Sequence, residues 1–199
     1  MTTRLTYLAD LVYWAASKLG YTNAYVKGYG GVWIKPNEYG TNFFWQLKWP
    51  TNIICHFSNL GGTIINSDLE LSALVLQEAF FRSISAYPEW KTPISDSDNT
   101  PTVAWYLRKA STINLFVADL LIISYAHNIM HILTLSVFYR SRPLKTMTND
   151  SFRHFDFSTN FFFAFFCSKY SPQSPSSWTM CHLPTWALSS VISVWLKQP

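Results

Sequence analysis

Two carboxylates in this chain stand where oxygen chemistry could be done. Glu70 lies in Asn66-Ser67-Asp68-Leu69-Glu70-Leu71, and Asp98 in Ser95-Asp96-Ser97-Asp98-Asn99-Thr100. Carboxylates hold hard cations such as Mg2+ through oxygen. Taken singly, each also has a structural reading. Ser67-Asp68-Leu69-Glu70 has the form of a capping box, and Asp98 sits among turn-forming residues. His127 and His131 have the i, i+4 spacing used by metal-binding helices, but no third ligand is evident, so the pair reads as packed or solvent-facing. His56, His154 and His182 are unclustered. Cys55, Cys167 and Cys181 are odd in number and form no Cys-x-x-Cys pair, which argues against structural zinc and for free thiols in a reducing compartment. Arg108, Lys109, Arg140, Arg142 and Lys145 could grip phosphates, and a solvated surface explains them equally well.

The surrounding pattern supplies elements to carry these groups. Residues 22–34 read as a strand, a tight glycine region at Gly28, Gly30 and Gly31, and a second strand. Glycine there permits either a positive φ or a close backbone approach. Residues 42–49 alternate loosely and read as a third strand closed by Pro50. Three sequential strands with short links predict an antiparallel meander. A helix is predicted from Asn66 or Ser67 to about Ala86, with Leu71, Leu74, Val75, Phe80 and Phe81 as its apolar face. Residues 92–98 read as a short strand ending in acids. Pro101 falls in the first turn of a second helix, where its missing N–H costs nothing. Residues 113–128 read as a third helix, 132–139 as a strand and 140–148 as a basic loop. The serine- and proline-rich run 171–177 reads as a linker, and 186–196 as one last short helix. The order β-β-β-α-β-α-α-β followed by a tail predicts an α/β fold, a five-stranded mixed sheet flanked by helices.

At 199 residues the chain can bury a sizeable core as one domain with attached segments. Charged residues reach only 13%, about half the usual level. The isolated chain is therefore expected to be poorly soluble, or normally covered by neighbours. A net charge of +4 leans toward polyanions without specifying one. Residues 1–20 lack the layout of a signal peptide. They read as an amphipathic helix with Leu5, Leu8, Val12, Ala15 and Ala16 on one face. The most apolar stretch, 113–138, is interrupted by Asn114, Asp119, His127, Asn128 and His131. Its unbroken pieces fall short of the ~20 residues a membrane span needs. An intracellular location, cytoplasmic or nuclear, is expected.

Four motifs carry a resemblance. Asn66-Ser67-Asp68-Leu69-Glu70-Leu71 resembles a helix-borne glutamate motif, and Ser97-Asp98-Asn99-Thr100-Pro101-Thr102-Val103 a strand-end aspartate leading into a helix. Thr22-Asn23-Ala24 followed by Gly30-Gly31-Val32-Trp33 resembles a first-strand Thr-Asp-Ala motif. Met147-Thr148-Asn149-Asp150-Ser151-Phe152-Arg153 resembles a decayed Ala-Asp-x-x-Ser-Arg motif. Together they resemble the ribonuclease H-like domain of retroelement polyproteins, in which a reverse transcriptase precedes this domain. The likeness covers the chain from about Leu19 onward. It implies an N-terminal helix or linker over residues 1–18, the ribonuclease H-like domain over 19–157, and a C-terminal tail over 158–199.

The resemblance implies two-metal hydrolysis of the RNA strand of an RNA–DNA hybrid, with Mg2+ or Mn2+ as cofactor. Two such ions sit about 3.5–4 Å apart, one activating water and one stabilising the leaving oxygen. The implied catalytic positions are Asn23, Glu70, Asp98 and Asn149, of which Glu70 and Asp98 keep a charge for metal. Asn23 and Asn149 offer a carbonyl oxygen alone, so metal affinity and turnover are expected to be impaired. Asp150 is displaced by one residue, about 100° around a helix. The implied partners are an RNA–DNA hybrid, held by Arg108, Lys109, Arg140, Arg142 and Lys145, and neighbouring polyprotein domains. Two other readings stand beside this one: a non-catalytic nucleic-acid-binding or scaffolding module of the same fold, and a membrane-associated protein.

Overall fold

The structure is a computed structural model and describes residues 19–34, 41–51, 54, 66–84, 93–108, 115–131, 135–140, 146–170 and 177–197. Among these residues the strands are β1 (Leu19–Tyr25), β2 (Gly28–Ile34), β3 (Thr41–Lys48), β4 (Ile94–Ser97), β5 (Ser136–Tyr139) and β6 (Ser177–Met180). The helices are α1 (Asn66–Ile84), α2 (Thr100–Arg108), α3 (Leu115–His131), α4 (Thr146–Arg153), α5 (Thr159–Tyr170) and α6 (Thr185–Leu196). One mixed sheet runs in the order β5-β4-β1-β2-β3-β6. β1, β2 and β3 form the expected antiparallel meander. β4 lies parallel to β1, β5 parallel to β4, and β6 parallel to β3. The α/β class and the element order through β5 are those the sequence predicts.

Several local expectations are corrected. The β1–β2 turn is Val26-Lys27, and the glycines lie inside β2, where they serve close approach. A Cβ on Gly31 would stand 2.3 Å from Gln77 Oε1. That space lets the fully buried Gln77 join three elements. Its Nε2 donates to Val32 O at 2.8 Å, its carbonyl accepts the Trp33 indole N–H at 3.2 Å, and its Oε1 accepts the Trp45 indole N–H. The helix α1 begins at Asn66, so Ser67 is already helical and is not the non-helical cap that a capping box requires. The stretch read as a basic loop gives way to α4 at Thr146.

The sheet has six strands among the described residues rather than five. β6 pairs with β3 from Thr41↔Ser177 to Phe44↔Met180, covering an edge that would otherwise expose unpaired backbone groups. The segment beyond residue 157 packs closely on the sheet. Phe162, Phe166 and Tyr170 of α5 and Trp178 of β6 bury against Val32 and Phe44. Trp33 and Trp45 face the opposite core, with α1, α2, α3 and α6. Neighbouring residues thus enter opposite cores, as the period of two requires. Trp195 of α6 donates its indole N–H to Ser72 Oγ of α1 at 3.2 Å. Among the described residues no helix is long and apolar enough to cross a membrane.

Candidate functional site

Four elements meet beside the second half of β1. β1 and β4 are in parallel register at Leu19↔Ile94, Gly20↔Ser95 and Tyr21↔Asp96, a constant offset of 75. Carrying that offset two residues past the last pair gives 98 − 75 = 23, the row of Asp98 and Asn23. β4 ends at Ser97, so the chain turns away there and Asp98, half-buried, opens the link to α2. Asn99 caps α2: its Oδ1 accepts the Thr102 amide at 3.0 Å, and its carbonyl accepts the Val103 amide at 3.1 Å.

Glu70 reaches the same stretch from the helix layer. It is 1% exposed, and its Oε1 accepts the Ala24 backbone N–H at 3.3 Å. Among the described residues β4 has ended before this level of β1, and the carboxylate accepts the N–H there. Glu70 and Asp98 are tied through their own elements, because Thr102 Oγ1 of α2 donates to Ser67 O of α1 at 3.0 Å. The starts of the two helices are thereby fixed side by side.

Asn149 arrives on α4. Gly30, the register partner of Asn23, lies directly under that helix: a Cβ there would stand 2.8 Å from Ser151 O. Ser151 Oγ in turn donates to Thr148 O at 2.7 Å. The elements bearing Asn23, Glu70, Asp98 and Asn149 therefore all adjoin β1 or β2, with α1 packed on one face of the sheet and α4 on the other. Asp150, the acid beside Asn149, is engaged elsewhere. Its Oδ2 accepts the Tyr170 hydroxyl at 2.5 Å and pairs with Lys169, fastening α4 to α5. Burial, and then Asp150 itself, raises the Tyr170 hydroxyl above its ordinary range, so it remains a donor to that carboxylate.

The predicted phosphate-gripping residues divide. Arg108 is exposed at the end of α2. Arg140 Nε pairs with the buried Asp96 Oδ2 at 2.6 Å, and its guanidinium lies 5.2 Å from the centre of the Tyr21 ring. Burial raises the Tyr21 hydroxyl while Arg140 pulls it back, with Asp96 a smaller push upward. Lys109, Arg142 and Lys145 lie outside the described residues, as do the side chains of Asn23, His127 and His131. Trp33, Trp45 and Trp49 are core residues, leaving no stacking face to a base.

A pair of dications held a few ångströms apart needs carboxylate charge. The four motif positions supply two carboxylates and two neutral amides. Among the described residues no group of three or more His, Cys, Asp or Glu is arranged to hold a metal ion. The donor set present does not fit a two-metal centre. The sequence named the four positions by their motifs. It missed what fixes them: the Ala24 amide, the Asn99 cap and the Thr102–Ser67 tie. Of these, only the cap has a local signal, Asn99 followed by Pro101.

No protein-family profile matches the chain, and no curated protein matches it. Among solved structures it is similar to the crystal structure of RNase H1 from the halophilic archaeon Halobacterium salinarum NRC-1. The TM-score is 0.47 and the sequence identity 8%, over 67% of this chain and 92% of that one. The α/β class rests on the strand order and register alone.

Proposed function

We propose that this chain is a ribonuclease H-like domain of retroelement origin that binds RNA–DNA hybrids and is impaired in cutting them. The observation that supports this reading is the meeting of β1, α1, the β4 end and α4. Those four elements carry the four motif positions, in the element order the motifs imply. Glu70 and Asp98 are the remaining metal-competent groups, and Asn23→Asp with Asn149→Asp would restore the charge that Mg2+ or Mn2+ needs. Arg108, Lys109, Arg142 and Lys145 are the proposed phosphate contacts. Neighbouring polyprotein domains are the proposed partners that cover a chain of such low charge.

One observation favours the non-catalytic form of this reading. Asp150 is bonded to Tyr170 and Lys169, so the acid next to Asn149 is committed to holding α5. The test is cleavage of a labelled RNA–DNA hybrid with Mg2+ or Mn2+, by the native chain and by the Asn23→Asp/Asn149→Asp variant, with hybrid binding measured on both. Binding by both and cutting by the variant alone is the expected result. Cutting by the native chain that Glu70→Gln abolishes would overturn the impairment. Folded proteins that neither bind nor cut would overturn the ribonuclease H-like reading.

A further inference from the structure

β4 and β5 keep a constant offset of 42, from Ile94↔Ser136 to Ser97↔Tyr139. One residue further, 98 + 42 = 140, so Arg140 falls in the row of Asn23 and Asp98. Its backbone N–H donates to Ser97 O at 3.0 Å, which holds the chain to that row. The row before it contains Tyr21, Asp96 and Phe138. Arg140 turns back onto this row: its Nε meets Asp96 Oδ2 at 2.6 Å, and its guanidinium lies over the Tyr21 ring. Tyr21 packs with Val32 and Phe44, so Tyr21 and Asp96 are on the sheet face that also carries α4. A buried carboxylate such as Asp96 is costly unless a charge partners it. Arg140, which keeps its proton at every working pH, is that partner.

Followed on across β2 and β3, the two rows add Val32, Gly30, Phe44 and Gln46, all uncharged. The rows thus hold two acids, Asp96 and Asp98, and one cation, Arg140, a net charge of −1. Acids at position 23 and at position 149, on the helix packed over β1 and β2, would take the count to −3. Glu70, on the α1 side and engaged by the Ala24 N–H, adds the same charge to both counts. Carboxylates gathered without a counter-charge repel a phosphate backbone, and bound dications reverse that repulsion. We infer that this chain holds an RNA–DNA hybrid without a divalent metal, because its two asparagines and the Arg140–Asp96 pair have removed the charge that a metal would offset. The inference rests on the hybrid-binding reading above and goes beyond lost cutting. A nuclease can stop cutting and still need metal to hold its substrate; here that need has gone with the charge. Arg140 acts through Asp96, not on the phosphate.

Hybrid binding by the full chain, followed by fluorescence anisotropy at one ionic strength in EDTA or in Mg2+, tests this. Mg2+ also competes with protein cations for phosphates. The parent should therefore bind as tightly in EDTA as in Mg2+, or more tightly. The Asn23→Asp/Asn149→Asp variant, shown by circular dichroism to be folded, should bind about tenfold more weakly than the parent in EDTA and recover with Mg2+. Electron paramagnetic resonance of Mn2+ gives a readout free of nucleic acid: the variant should hold Mn2+ about tenfold more tightly than the parent. A parent whose hybrid affinity rises about tenfold or more with Mg2+ overturns the inference and leaves hybrid binding standing. So does a folded variant that matches the parent's affinity in EDTA. A folded parent that binds hybrid in neither condition overturns the ribonuclease H-like reading itself. The parent's two affinities decide the matter even where the variant fails to fold.

Discussion

The carboxylate of Glu70, on α1, accepts the backbone N–H of Ala24, on β1, at 3.3 Å. The bond joins helix layer and sheet at the point where β4 has ended, so Glu70 has structural work of its own. Glu70→Gln keeps an acceptor oxygen and should cost less than about 1 kcal/mol of unfolding free energy. Glu70→Ala leaves a buried amide without that acceptor and should cost about 1–3 kcal/mol. Urea unfolding of both variants checks this. Equal stability of Glu70→Ala and the parent would remove the structural role.

Tyr29 gives a prediction in the opposite direction. Its ring is fully buried between Trp45 and Trp49, and its hydroxyl has no hydrogen-bond partner among the described residues. Tyr29→Phe keeps the ring contacts and should stabilise the fold by about 1 kcal/mol near neutral pH. Burial raises the hydroxyl well above its ordinary range. The unfolded chain loses this proton near pH ~10 while the fold retains it. The contribution is therefore fully present below about pH 10 and is lost as pH rises through the higher folded value. Stability of the parent should fall above pH ~10, and Tyr29→Phe should flatten that fall; identical alkaline curves would refute it.

The parts of the fold written as a short-range period were legible in the sequence. Strand alternation gave the meander, and the apolar face of residues 66–84 gave α1. α5 was not legible, because Phe161, Phe162, Phe163, Phe165 and Phe166 are apolar around the whole helix and leave no amphipathic period. β6 was hidden for another reason. Its four residues acquire strand character from the open edge of β3, a tertiary fact with no local signature. The site divides the same way. The flanks of Glu70 and Asp98 marked motifs, whereas the commitment of Asp150 to Tyr170, twenty residues on, is visible only after α4 and α5 pack.

Gly30 tests whether α4 is held in place by the missing side chain beneath it. A Cβ there would stand 2.8 Å from Ser151 O and 2.9 Å from Ser151 C, both backbone atoms that can yield only if the helix moves. Gly30→Ala should destabilise by about 1–3 kcal/mol, as overpacking does. Displacing α4 also displaces Asn149. In the Asn23→Asp/Asn149→Asp background Gly30→Ala should therefore lower any restored hybrid cleavage more than it lowers hybrid binding. Cleavage and affinity falling together would mean that α4 is not part of the cutting site.

Arg140 separates a fold contact from a ligand contact. Its guanidinium is about a quarter exposed (27%), and its Nε meets the buried Asp96. Removing one partner of a fully buried pair costs ~3–5 kcal/mol. The solvent reaching Arg140 reduces this, so Arg140→Gln should cost about 2 kcal/mol. A true phosphate contact would behave differently: its loss would reduce by about one the slope of log affinity against log salt for hybrid binding. The pairing with Asp96 predicts lower stability and an unchanged salt slope in the folded variant. Unchanged stability with a shallower slope would move Arg140 from the fold to the nucleic-acid surface.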